Sequence, residues 1–194
     1  MQELVIDIVG PYSFAGDSAA PSVFDSPLKD SKGIYLWTVP IQDSELIYFI
    51  GETGRSFQRR LFEHLQCTFS GVYCINDPAK MLKGVRKRVW DGTGRGEKLQ
   101  KFLINFEQHS KEAIEFIRIF HIYLLPFDCA RNLRKRIEGL IGHSLYKQEG
   151  LIGNFQEPDC RYQEPKVEGD PWKIRLNCKT KILGLQKEYV IDDS

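Results

Sequence analysis

The chain has 194 residues, which suits about one domain plus extensions and a core that needs no disulfide or metal staple. Hydrophobic residues make up 42% and charged residues 27%, with a mean hydropathy of -0.35; these values exclude a chain disordered by composition, and no run approaches the roughly 18 apolar residues that cross a bilayer. Lys and Arg number 27 against 26 Asp and Glu, so a formal charge of +1 excludes a chain that is polycationic throughout.

The amino terminus, MQELVIDIVGPYSF, has no basic leader before an apolar run and no small-residue cleavage site; it does not read as a secretory signal, and the expectation is a cytoplasmic protein. Residues 1–30 contain Pro11, Pro21, Pro27 and a small-residue tract, which predicts an irregular extension with little regular structure. Residues 32–39 and 46–50 are rich in aromatic and branched side chains and flank a turn around 40–44, which predicts a hairpin. Phe57, Leu61 and Leu65 fall at i, i+4 and i+8, an apolar stripe on a helix that Ser56 is suited to cap.

Lys80, Lys83, Arg86, Lys87, Arg88, Arg95, Lys98 and Lys101 face only Asp91 and Glu97, a local surplus of six positive charges. This block begins with helical character and breaks at the glycine-rich 91–96, which lacks the spacing of a nucleotide P-loop. Leu99, Phe102, Leu103 and Phe106 mark a helix, and 116–125 reads as a buried central strand closed by Pro126. Asp128 is placed to cap the next helix, whose core face is Leu133, Ile137, Leu140 and Ile141 until Gly150. Late strands are expected at 172–178 and 181–191. Five cysteines without a CxxC pair argue for reduced, buried thiols rather than a disulfide framework or a zinc ribbon.

The pattern predicts an α+β fold: a small, mainly antiparallel three-stranded sheet flanked by helices in 31–156, with extensions over 1–30 and 157–194. Tyr35, on the first strand, faces the same way as Trp37; Arg60 and His64 are i, i+4 neighbours beside the apolar stripe of the next helix, where a phosphate could sit between them. Glu138 lies mid-helix beside Ile137 and Ile141, where an ionised carboxylate needs a compensating cation. Each residue also has a plain structural role open to it: packing for Tyr35, an exposed helix face for Arg60 and His64, and a pair with Arg134 for Glu138.

In order and spacing these residues resemble the GIY-YIG nuclease superfamily over 33–155. Gly33-Ile34-Tyr35 matches the first motif and Phe49-Ile50-Gly51 the second; Arg60 and His64 resemble the arginine and histidine of the following helix, Glu138 the metal-binding glutamate and Asn154 the closing asparagine. The departure is Phe49 where the family has tyrosine. Tyr48 points to the other side of a regular strand, but a bulge near Ile50 or Gly51 would turn it back.

The resemblance implies a metal-dependent endonuclease that hydrolyses DNA phosphodiester bonds, of restriction or structure-selective type, with one Mg²⁺ or Mn²⁺ held by Glu138. It further implies Arg60 on the non-bridging oxygens and Tyr35, partly ionised by nearby cations, as proton acceptor from water. His64, titrating near neutrality, would relay that proton or bind the phosphate, and Asn154 would orient. Lys83, Arg86, Lys87, Arg88, Arg95 and Lys98, with Trp90, are the candidate DNA contacts. The alternative is a catalytically weak or inactive nucleic-acid-binding module of the same fold. No membrane partner is expected, and no oligomeric state is set.

Overall fold

The computed structural model describes residues 1–93, 97–157 and 162–192. In chain order its elements are β1 (Gln2–Asp7), β2 (Val9–Tyr12), a single 3-10 turn (Val23–Asp25), β3 (Gly33–Ile41), β4 (Ser44–Thr53), α1 (Phe57–Phe69), β5 (Ile75–Asn76), α2 (Pro78–Met81), β6 (Arg88–Trp90), α3 (Glu97–Ile104), α4 (Phe106–Arg118), β7 (His121–Pro126), α5 (Arg131–Tyr146), α6 (Gly150–Phe155), β8 (Trp172–Asn177), β9 (Ile182–Leu183) and β10 (Glu188–Ile191).

The strands form a five-stranded sheet of order β2-β7-β3-β4-β9, a three-stranded sheet β1-β8-β10 and the β5-β6 pair. β3 is central and antiparallel to both β4 and β7. Its residues from Gly33 to Val39 are all buried, because each sheet face carries its own core. Tyr35 and Trp37 project into one core with Phe57, Leu61, Phe116 and Phe120. Ile34 and Leu36 project into the other with Ile137 and Ile141 of α5 and Ile6, Ile174 and Ile191 of the smaller sheet. Period-2 alternation thus serves both faces, and each fully buried Ile, Leu or Phe contributes about 1.5–3 kcal/mol.

Two local features position the site. Gly33 opens β3 with φ +148°, where a β-carbon would stand 2.1 Å from the Leu125 carbonyl oxygen, so only glycine lets β3 and β7 close at that point. In the β3–β4 ladder Trp37 pairs with Phe49 but Thr38 with Ile47, leaving Tyr48 as an extra residue. This bulge turns Tyr48 and Phe49 onto the same face.

The sheet corrects the expected one. The chain is α+β, but the small three-stranded sheet is replaced by three sheets, because segments read as extensions supply strands. The irregular extension expected over 1–30 begins only after Tyr12: β2 pairs with β7 and β1 runs parallel to β8, while 13–30 hold a single 3-10 turn. The late strands are β8, β9 and β10, and β9 extends the main sheet beside β4.

Residues 116–118 end α4 rather than starting β7, since Ala113, Phe116 and Ile117 share one buried helix face. Within 80–90, Arg88–Trp90 is strand. Asp128 pairs with Lys32, and Ala130 precedes α5 at its cap position. Cys67, Cys74, Cys129 and Cys178 are free thiols as expected but not buried ones, the first three being half-buried and Cys178 exposed; Cys160 lies outside the described residues. Among the described residues no helix is long and apolar enough to cross a membrane.

Candidate active site

Ser56 caps α1 by accepting the Arg59 backbone N–H, and the buried residues of the helix are Phe57, Leu61, His64 and Thr68. Spacings of four, three and four make His64 a member of the stripe that docks on the sheet, while Arg60, one residue before Leu61, sits at its margin. Docking brings both side chains to the phenol of Tyr35, which has no solvent exposure. Tyr35 Oη lies 2.7 Å from His64 Nε2, and Arg60 Nε donates to the same oxygen at 3.2 Å. The arginine N–H donates to the phenol oxygen, and the phenol sends its own proton to His64 Nε2 in the tautomer protonated on Nδ1.

Electrostatics keep the imidazole neutral and correct two expectations. Burial, reinforced by Arg60, pushes His64 down to about 3, so it does not titrate near neutrality. Burial also pushes Tyr35 above the ordinary tyrosine value against the opposing pull of Arg60, so the phenol is protonated rather than partly ionised. Phe49 forms part of the apolar wall, its ring centroid 6.2 Å from that of Tyr35 and 5.3 Å from that of His64. It supplies no hydroxyl. Tyr73, which no sequence signal singles out, lies with its ring 5.6 Å from His64 and its phenol within electrostatic reach of Tyr35 and Arg60. It is 36% exposed, the outermost aromatic ring against His64.

Glu138 comes from α5, and its Oε1 accepts the Glu52 backbone N–H at 3.0 Å near the end of β4. Burial, and secondarily the Glu52 charge, pushes its carboxyl up to about 7; Arg60 is among the cations opposing this, and the Glu138 charge acts on Tyr35 in turn. The same-helix pair with Arg134 does not form: Arg134 donates to Glu52 at 3.1 Å and to the Cys129 carbonyl at 2.6 Å. Glu52 is the second carboxylate that sequence reasoning passes over, although it directly follows Gly51. Tyr35, Arg60, His64 and Glu138 are therefore brought together.

Asn154 is exposed on α6, and no contact among the described residues joins it to these four. The bulge that reorients Tyr48 lies at Tyr48 itself rather than near Ile50 or Gly51, and it aims the hydroxyl elsewhere. Asn76 Nδ2 donates to Tyr48 Oη at 3.2 Å, and the Arg86 guanidinium covers the ring at 4.2 Å from its centroid.

The expected DNA contacts divide. Arg86 turns inward, donating to the Tyr48 carbonyl and pairing with Glu157 at 3.4 Å, while Arg88 pairs with Glu157 and Asp91. Lys83, Lys87 and Lys98 are exposed, and Arg95 lies outside the described residues.

Among the described residues no group of three or more His, Cys, Asp or Glu converges as a metal cage. A hard, well-hydrated ion needs fewer protein ligands. Glu138 engages only Oε1 with the backbone, burial outweighs the pull of Lys135 and Arg60 on its carboxyl, and Glu52, paired with Arg134, stands beside it. That donor set fits one Mg²⁺ or Mn²⁺ carrying several waters.

No known protein family, curated protein or solved structure matches the chain.

Proposed function

We propose that the chain is a metal-dependent endonuclease that hydrolyses DNA phosphodiester bonds, restriction-type or structure-selective, as the resemblance to the GIY-YIG superfamily implies. The observation that carries the reading is the hydrogen-bonded set Arg60–Tyr35–His64, in which a phenol receives a guanidinium N–H and stands 2.7 Å from the Nε2 of a neutral imidazole.

A free phenolate and a free imidazolium are each disfavoured by burial at this position, so the two proton transfers are coupled. Water gives a proton to Tyr35 as Tyr35 passes its own to His64; the water oxygen forms the new P–O bond, the P–O3′ bond breaks, and the departing 3′ oxygen takes a proton from a solvent water to leave as the hydroxyl. Negative charge growing on the phosphorane offsets the cost of the imidazolium, and His64 later releases its proton to solvent. Arg60 keeps one N–H on Tyr35 while its remaining donors meet the non-bridging oxygens, a fork suited to phosphate. Glu138 would hold the divalent ion, whose positive charge would stabilise the phosphate oxygens. Tyr35 has no solvent exposure, so water reaches it only when a side chain packed around the phenol moves.

The second reading, a binding module without chemistry, is favoured by that same burial and by the phenylalanine at position 49. Supercoiled plasmid separates the two. Nicking in Mg²⁺ or Mn²⁺ that stops with EDTA and is lost in Glu138→Ala is the expected result. Duplex binding with no nicking in either metal would overturn the enzyme reading; undiminished nicking by Glu138→Ala would overturn Glu138 as the holder of the metal.

A further inference from the structure

Arg60 is held on two sides. Its Nε meets Tyr35, and its NH1 lies 3.4 Å from Glu63, one turn further along α1. The same carboxylate is gripped by Arg55, whose two terminal nitrogens each donate to a different oxygen at 2.6 Å, and is approached by Arg59 Nε at 3.7 Å. Three guanidinium groups converge on one acid, leaving two positive charges around it at the capped start of the helix. Arg55 in particular holds the Glu63 carboxyl below the usual carboxylate range, so it is ionised at neutral pH.

A carboxylate taken by a bidentate arginine and flanked by two more has the charge and donor geometry of a bound phosphate. Exposed ion pairs of this kind contribute little to stability, so an incoming anion displaces the acid at small cost. We propose that Arg55, Arg59 and Arg60 form a cradle for a backbone phosphate of the nucleic acid, which Glu63 fills when no nucleic acid is bound. The identity of this ligand rests on the nuclease reading; the cradle itself rests on the four side chains. Seating a phosphodiester there expels Glu63 and gives the terminal nitrogens of Arg60 to the phosphate while its Nε stays on Tyr35. Glu63 thus competes with the nucleic acid for the three guanidinium groups.

The test is anisotropy of a fluorescein-labelled DNA duplex in EDTA, over a range of salt concentrations, with each variant's fold checked by circular dichroism. Glu63→Gln should tighten binding roughly three- to tenfold at low salt. Glu188→Gln, which removes an acid paired with Lys173 and Arg175 on the smaller sheet and leaves Arg175 on Glu3, is the control for added charge and should change it little. Arg55→Ala and Arg59→Ala should weaken binding and each flatten the salt dependence by about one unit of slope. Glu63→Gln binding no tighter than Glu188→Gln, or arginine variants binding like the unaltered chain, would overturn the cradle. If plasmid is still nicked in that case, the cradle alone falls; a chain that neither binds duplex in any variant nor nicks plasmid loses both proposals.

Discussion

Gly51 lies directly beneath the phenol of Tyr35: a β-carbon at position 51 would stand 2.2 Å from Tyr35 Oη and 2.3 Å from the ring carbon that bears it. The two residues are partners in the β3–β4 ladder, so the absent side chain on one strand is the space occupied by the hydroxyl of the other.

Gly51→Ala should therefore displace the phenol from His64 and Arg60. Overpacking at a fully buried position costs about 1–3 kcal/mol, and moving a reacting group by an ångström costs about a hundredfold in rate. Chemical denaturation and plasmid nicking measure the two effects. A variant with unaltered cleavage would separate Tyr35 from the chemistry.

Glu138 gives a test in which stability and activity move in opposite directions. Its folded-state carboxyl titrates at about 7 against an ordinary 4.5, so the folded chain holds the proton more tightly than the unfolded one. The stability this supplies is full below pH 4.5 and is lost as pH rises through 7. Glu138→Gln keeps an acceptor for the Glu52 N–H and carries no charge. At pH 8 it should be more stable than the unaltered chain by on the order of 2 kcal/mol, converge with it near pH 4.5, and not cleave. Mg²⁺ should raise the melting temperature of the unaltered chain at pH 8 and leave that of the variant unmoved.

His64 shifts the other way. Its folded-state value of about 3 lies below the ordinary 6.5, so the unfolded chain takes up the proton first. Its contribution is full above pH 6.5 and declines as pH falls from there towards 3. The unaltered chain should lose stability over this window, whereas His64→Gln should lose less; urea denaturation across pH 4–7 reads the difference. Parallel curves for the two proteins would contradict a buried neutral imidazole.

The two tyrosines of the paired strands should separate. Tyr48→Phe removes a hydroxyl whose partners are Asn76 and Cys74, so it should cost about 1 kcal/mol and leave cleavage intact. Loss of cleavage in this variant would bring Tyr48 into the chemistry despite its aim.

Local pattern made part of this site legible. The Ser56 cap and the stripe through Phe57 and Leu61 depend on neighbours in sequence, and they carry Arg60 and His64 to the sheet. Tyr35 follows from strand alternation. Long-range pairing was not legible: Gln2 meets Trp172, and β9 joins β4 through two residues, with nothing in either segment naming its partner. The bulge at Tyr48 depends on register, as does the proximity of Glu52 to Glu138. Residues 116–118 satisfy a strand pattern and a helix face alike, and packing against α1 and the sheet decides for the helix. Protonation was misjudged because charges were counted without burial: Arg60 alone would lower Tyr35, and only the closed core shows desolvation prevailing.

The central claim is that the phenol of Tyr35, bridged between Arg60 and His64, takes the proton from the attacking water. Single-turnover nicking of supercoiled plasmid in Mg²⁺ by Tyr35→Phe tests it most directly, because that variant keeps the ring and loses only the hydroxyl, at about 1 kcal/mol of stability. The expected result is a folded protein that binds DNA as the unaltered chain does and cleaves at least a hundredfold more slowly. Cleavage at the unaltered rate would contradict the account.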